Sequence, residues 1–586
     1  MKTIFKQATL SFALASSLLM SGIPAFADGA AESASAAVYK MNADLPVRVK
    51  GVFNEKTTGG VRLGAVIRMN NTSNHTLRIP DHELRVKTPD GFVYTLRPSS
   101  ANERGIQPGA EVELTYMLVV NRTSQISLTE LSLIDVNYDV YPKQETALFT
   151  IPIDAIVWKG KLDGFKDAAL LKKWGESFTI PTLESPLSYR TISISKTNSN
   201  DGSDYVVKLL ATNPSDRSET VPALELAGKT KTDVFTGREV EANPVVLEPG
   251  ENKYIHFAIH TEMNAVLASL NVLTTETFAQ AGTNGTLKVS NFGIGKLNID
   301  LAQKKSDVLS YAYESPITFE AWNDAIHQDL KVALTELRVA DNEDQGSKLA
   351  VAKFKFTNKG LTMLPIPALL TELQSPGGYD YTGIRQSQVQ STIAPGTSSV
   401  VNYTFVLPVS ETAETFTMKL QQSLSGGYGD DNVGGTSGGT KSAYKSTIAS
   451  FQVTPQGKED RHKITLYPYT LNIKDYFLNQ ITSPDQMIAI TYTYKLQLFL
   501  ELDRDPRVLT DQTFSRLKFE LVDPAGSILG SKSFPFTGTD RLVSGKQTLT
   551  FNHLTTDQIQ SNVSVKVYES ILTPSGEVNR LITELK

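Results

Sequence analysis

The chain has 586 residues, 40% hydrophobic and 20% charged, with 39 glycines, 27 prolines and no cysteine. That composition excludes collagen-like, low-complexity and wholly disordered chains. The missing thiols exclude disulfide staples, thiol nucleophiles, cysteine zinc sites and iron–sulfur clusters. At about 150 residues per domain the length has room for roughly four domains.

Residues 1–27 place Lys2 and Lys6 before an apolar stretch from Leu10 to Ile23 and end on Ala25 and Ala27. Charged, apolar and small-residue regions in that order predict a secretory signal peptide, cleaved after Ala27. No later stretch approaches 18 uncharged apolar residues, so no transmembrane segment is expected in the mature chain. Two of the 57 basic residues leave with the leader and 62 acidic ones remain, a net charge of −7. Without a Lys/Arg cluster this disfavours nucleic acid as a partner. The chain ends Arg580 to Lys586 without an LPxTG-type sorting signal.

Three later segments share one spacing. Gly60 to Asn71, Gly202 to Asn213 and Gly346 to Asn358 span 11, 11 and 12 residues; Pro80, Pro222 and Pro367 follow nine residues on; Pro108-Gly109, Pro249-Gly250 and Pro395-Gly396 follow after 28, 27 and 28. Each interval has a mechanical reading. The polar stretches before the Gly predict hairpin turns. Alternation at Val61, Leu63, Ala65 and Ile67, and of Ala352, Phe354 and Phe356 against Val351, Lys353 and Lys355, predicts strands with one buried and one wetter face. Asparagine bonds its own backbone in turns and tolerates a left-handed φ. Pro-Gly fits the centre of a type II turn, and further strands follow, with Leu114, Tyr116 and Leu118, with Ile255, Phe257 and Ile259, and with Val401, Tyr403 and Phe405 at matching positions.

Between the first two segments, residues 165–174 carry a helix-like pattern and predict a short linker helix. Glu184–Arg190 and Glu314–Glu320 repeat one boundary phrase, and the Gly-rich stretch 425–442 has almost nothing to bury and predicts local disorder. A divergent fourth copy follows. Residues 487–502 are strand-like, Asp503-Arg504-Asp505-Pro506 replaces the Asn turn, and Ser544-Gly545 replaces Pro-Gly with a register off by about one.

This order of strand, Asn turn, extended segment, Pro-Gly and alternating strand resembles the immunoglobulin-like repeat domains of exported bacterial proteins, many of unknown function. An exported chain without cysteine resembles those of Gram-positive secretomes. The resemblance implies an all-β fold of tandem immunoglobulin-like β-sandwiches and an extracellular location, and it transfers no catalytic residue. The divisions expected are a signal peptide at 1–27, sandwich one at 40–158, a helical linker at 159–181, sandwich two at 182–305, sandwich three at 313–455 and a divergent sandwich four at 460–586.

Chemistry-bearing clusters are few. His256 and His260 share the outer face of one strand, but four residues of strand span roughly 13 Å, too far for one zinc at Zn–N distances near ~2 Å; exposed strand histidines are the expectation. Glu501, Asp503 and Asp505 share a face at about 7 Å per step and read as a polar strand end. Asp430 and Asp431, or Asn200, Asp201 and Asp204, offer oxygen ligands for calcium without the EF-hand spacing. No G-x-S-x-G, H-E-x-x-H or P-loop pattern occurs; GGTSGGTK at 434–441 lacks the P-loop spacing. Tyr467, Tyr469, Tyr492 and Tyr494 form a candidate ligand platform, since aromatic faces stack on sugars and anchor interfaces.

The expected function is therefore a secreted, non-enzymatic binding or structural module at the cell surface or in the extracellular matrix. Its partners would be a cell-wall or matrix polymer or another surface protein, and no cofactor is required. The alternative is an extracellular hydrolase or carbohydrate-binding accessory protein with a site in the fourth unit.

Overall fold

The computed structural model describes residues 38–586 apart from 162–164, 166, 199–200, 283–285, 303–307, 343–345, 388, 425–443, 484–489, 511–513 and 557–561. The signal peptide, the Gly-rich stretch, GGTSGGTK, Asn200, Asp430 and Asp431 lie outside the described residues. What is described is all-β, and its buried apolar side chains gather into four large clusters, one in each of four successive stretches of chain.

Each unit is built from seven principal strands. Unit one has β1 (Leu45–Thr57), β2 (Gly60–Asn70), β3 (His82–Lys87), β4 (Val93–Pro98), β5 (Glu111–Val120), β6 (Glu130–Asn137) and β7 (Gln144–Pro152). Unit two has β8 (Ser188–Asn198), β9 (Ser203–Thr212), β10 (Leu224–Lys229), β11 (Val234–Glu239), β12 (Asn252–Thr261), β13 (Ser269–Ala281) and β14 (Leu287–Asp300). Unit three has β15 (Leu330–Asn342), β16 (Ser347–Asn358), β17 (Leu370–Gln374), β18 (Asp380–Thr382), β19 (Ser398–Pro408), β20 (Phe416–Leu424) and β21 (Tyr444–Val453). Unit four has β22 (Tyr469–Ser483), β23 (Ile490–Arg504), β24 (Arg516–Val522), β25 (Ile528–Phe534), β26 (Gly545–Thr556), β27 (Ser564–Thr573) and β28 (Gly576–Leu585).

In every unit the first, second and fifth strands lie side by side, as do the third, sixth and seventh, and the fourth sits beside the third. We call these layers the front and back sheets. In units one and two the fourth strand also pairs with the fifth and joins the layers at one edge. Period-two alternation explains the core between them: Val61, Leu63, Ala65 and Ile67 all point inward and are fully buried.

The turn chemistry has a common form. Asn71, Asn213 and Asn358 are fully buried. Each donates its amide to a carbonyl four residues on, at His75, Arg217 and Thr362, and to one from the far side of the turn, at Ile106, Leu247 and Ile393. Each side-chain oxygen accepts the backbone N–H two residues ahead, from Ser73, Ser215 and Gly360. The asparagines thus act as internal staples and none adopts a left-handed φ; that conformation falls to Gly109, Gly250 and Gly396, with φ of 68°, 73° and 70°.

The linker helix is absent. Among the described residues of 165–174 only Ala168–Leu170 form a helical turn, of the 3-10 type, and Leu171–Lys172 then pair in parallel with Asn298–Ile299 of β14. The apolar residues that suggested one helical face serve separate contacts. Phe165 packs on Trp158 at 5.0 Å, while Leu170 packs on the core of unit two. Tertiary partners override local propensity here.

The wetter faces expected of β2 and β16 are also corrected. Val66 and Lys353, on the outer side of the front sheet, are fully buried, because the neighbouring unit lies across them.

Candidate functional site: the joints between units

The front sheet of each unit packs on the back sheet of the next, and a β-bulge in the first strand fixes the register of the contact. The bulge falls between Val49 and Gly51, Thr191 and Ser193, Leu334 and Glu336, and Ile473 and Asp475. The residue just after it pairs with Val66, Lys208, Lys353 or Phe499 on the second strand. These in turn pair with Thr115, His256, Asn402 or Lys546 on the fifth. One outward-facing position therefore recurs in four units, and in the first three it is buried at a joint.

The joint between units one and two is mainly apolar. Phe53, Val66, Met117 and Trp158 meet Ala227, Leu273, Phe278, Phe292 and Ile294, with the Phe53 and Phe292 rings 4.8 Å apart. Two glycines make room for the rings: a Cβ on Gly64, the cross-strand partner of Phe53, would lie 2.1 Å from the Phe53 ring, and one on Gly295 of unit two 2.5 Å from that of Trp158. At its edge the Lys50 ammonium contacts Glu276 of unit two at 2.9 Å and Glu113 at 2.7 Å. Lys296 donates to the Lys50 carbonyl and the Thr182 hydroxyl, each at 2.9 Å. Burial pushes the Lys296 ammonium down to about 7 although Glu276 opposes the shift.

Between units two and three, Lys208 bonds Glu320 at 2.5 Å and the Thr447 carbonyl at 2.6 Å, and burial lowers its pKa against the pull of Glu320. His256 meets Glu241 at 2.8 Å through Nδ1 and Ser446 at 3.1 Å through Nε2. The expectation of exposed histidines thus holds for His260, which pairs with Asp204 at 2.8 Å, and fails for His256, which unit three covers. Beside this joint lies a cleft of about 690 Å³ lined by Glu241, Asn243, Asp324, Pro367, Leu369 and Gln422 among others.

The joint between units three and four is ionic. Lys353 bridges Glu336 at 2.7 Å and Glu569 at 2.9 Å. Arg580 bridges Glu569 at 2.8 Å and Glu459 at 2.7 Å, and Arg338 reaches Glu459 at 3.4 Å. Three cations face three carboxylates in a chain. The Ser515 hydroxyl donates to Glu569, and the Tyr467 backbone N–H to Glu336. Burial works to raise the Glu569 carboxyl, but Lys353 and Arg580 together overcome it and hold it at about 2. Glu336 is raised instead, since burial outweighs its one shared lysine.

The predicted tyrosines separate. Tyr469 and Tyr494 are buried in the core of unit four, Tyr469 stacking on Phe536 at 4.5 Å. Tyr467 is half-buried at the ionic joint with the Lys355 ammonium 5.3 Å from its ring, and the side chain of Tyr492 lies outside the described residues. Glu501 is exposed against Lys474, and Asp505 pairs with Arg507, as a polar strand end should. A second cavity of about 560 Å³ in unit four is lined by Arg504, Arg541, Tyr469 and Phe536, and the three carboxylates at the end of β23 are not in its wall. Among the described residues no group of three or more His, Asp or Glu is placed to hold a metal ion, and no helix is long and apolar enough to cross a membrane.

Sequence reasoning missed the joint residues Lys50, Lys208, Glu276, Lys353 and Glu569. One signal was available: Lys208 and Lys353 both stand five residues before the repeat asparagine, each flanked on both sides by apolar residues.

No family model and no curated protein matches the chain. Among solved structures, an exo-chitosanase of Amycolatopsis orientalis aligns over 89% of this chain and 92% of its own at 8% identity, with a TM-score of 0.11, a likeness too low to bear on fold or function.

Proposed function

We propose that this chain is an exported, non-enzymatic stack of four immunoglobulin-like β-sandwiches, serving as a stiff structural or binding module at the cell surface or in the extracellular matrix. The strand order supports the immunoglobulin-like reading, with first, second and fifth strands opposite third, sixth and seventh. The observation that carries the functional reading is the set of three joints. Buried Lys50, Lys208 and Lys353 each reach a carboxylate of the following unit, at Glu276, Glu320 and Glu569. Flexible linkers would leave domains independent, whereas paired buried charges fix one register and resist sliding. Such a chain suits holding a shape over distance.

Two measurements test this reading. Fractionation of expressing cells should place the protein in the wall or medium, with an N-terminus beginning after Ala27; a cytoplasmic protein with residues 1–27 intact would count against export. Small-angle scattering of the mature chain should fit one rigid stack, and a profile requiring freely jointed units would count against stiffness.

A further inference from the structure

Among the described residues the stack leaves two sheet faces uncovered, and they differ. The front sheet of unit four has no described element across it: Phe477 is 52% and Ile481 45% exposed. Register places these residues against unit one with no adjustment. Lys474 occupies the bulge position of Lys50, Phe477 that of Phe53, and Phe499 that of Val66. In unit one that trio is buried under the back sheet of unit two, with Lys50 on Glu276 and Phe53 on Phe292. In unit four Lys474 and Phe477 stand exposed and Phe499 half-buried, the two rings 6.2 Å apart edge-to-face. The Lys546 ammonium lies 5.9 Å from the Phe499 ring, and Lys495 stands on the same face. The surface carries Lys474, Lys495 and Lys546 against Asp475, which pairs with Phe499, and Glu501, a small positive excess on an acidic chain.

The complement of a front sheet is a back sheet at all three joints, and among the described residues the one back sheet left uncovered is that of unit one. It presents Glu83, Glu130 and Glu145 beside the exposed ring of Tyr138. Their present partners, Arg85, Lys87 and Lys143, all belong to unit one itself. The Lys87–Glu130 and Lys143–Glu145 pairs face solvent and exchange at little cost, while Arg85 holds Glu83 half-buried. A two-fold pairing of unit four with its own copy would instead oppose two faces that each carry a positive excess, three lysines to two carboxylates.

We infer that the open front sheet of unit four docks on the back sheet of unit one of a second copy, so that the chain assembles head to tail. Lys474 takes a glutamate of the next copy as Lys50 takes Glu276, and Phe477 and Phe499 fill the contact. The interface is heterologous and does not close, so it generates strings rather than dimers. The inference rests on the joints and not on where the protein acts, and a protein found in the cytoplasm would leave it standing.

Sedimentation of the full mature chain from about 1 to 100 µM spans the affinities expected of such contacts. The expected result is a weight-average mass that climbs without a plateau at two chains. The double variant Lys474→Glu/Phe477→Asp, confined to exposed positions, should shift that rise by at least tenfold in concentration while circular dichroism and melting temperature stay unchanged. Carbodiimide cross-linking of isotopically light and heavy copies should join Lys474, Lys495 or Lys546 of one to Glu83, Glu130 or Glu145 of another. A single-chain mass throughout the range, a plateau at two chains, or intermolecular cross-links confined to unit four would each overturn the inference.

Discussion

The first and third joints solve one problem with opposite chemistry. At the same position of the second strand, Val66 packs among aromatic rings at the first, while Lys353 sits between two carboxylates at the third. An apolar joint gains from area removed from water and tolerates small displacements, losing energy in proportion to the cavity opened. An ionic joint gains little net, because desolvation offsets attraction, but penalises any arrangement that separates the pairs. The contrast teaches that the third joint specifies register more than it stabilises, and that the first does the reverse.

The contrast is most exposed to failure at Glu569. Glu569→Ala leaves Lys353 and Arg580 sharing the remaining carboxylates in a site closed to water, and should cost about 3–5 kcal/mol. Replacing Lys353, Glu336, Glu569 and Arg580 together with apolar residues of similar volume, which leaves Arg338 with Glu459, should cost far less. Denaturant unfolding of the full chain compares the two, and a quadruple variant as damaged as the single one would show that the ionic joint is a net stabiliser after all.

Phe53→Ala at the first joint should cost about 3 kcal/mol, as large-to-small changes in packed aromatic sites do. Fluorescence of Trp158, buried at that joint, reports the loss. The cost should be insensitive to salt, whereas an apolar joint weakened by added salt would contradict the division drawn here.

Asn213→Ala and Asn358→Ala sharpen the comparison from inside the units. Each strands buried carbonyls at Leu247 or Ile393, for about 1–3 kcal/mol. Because the staple is the same, the two costs should agree within the usual scatter even though the joints beside them differ.

A further effect is a pH dependence. Lys296 has its folded pKa depressed to about 7, against about 10.4 unfolded. Between those values the unfolded chain binds more protons, so stability rises with pH through that window. The difference between wild type and Lys296→Met should therefore grow from pH 7 to 9, at up to about 1.4 kcal/mol per unit, and a flat difference would place the ammonium in water rather than in the joint.

Much of the strand order was legible because alternation and turn residues are local signals. The Asn and Pro-Gly positions fall where the spacing put them, and the off-by-one register of the fourth copy corresponds to one more residue between Phe499 and Asp505 than between Lys353 and Asn358. The linker helix misled because Phe165, Leu170 and Leu171 face three different partners that happen to fall at helical intervals. The candidate site was less legible. Alternation identifies two faces of a strand without saying what lies beyond the second, so Lys353 read as a wet residue and Tyr494 as a surface one. Both readings needed the neighbouring sheet, and Glu569, which turns Lys353 inward, lies far along the chain.

Front-to-back stacking also orders events in time. A chain made from its N-terminus completes unit two before the back sheet that will cover it exists, and unit three likewise. During each wait, the face to be buried is open to solvent and to other half-made chains. At these two faces it carries Lys208 beside His256 and Lys353 beside Asn402, groups that water solvates well. The charges that later lock the joints thus first serve as temporary protection, keeping an incomplete stack from pairing with the wrong sheet.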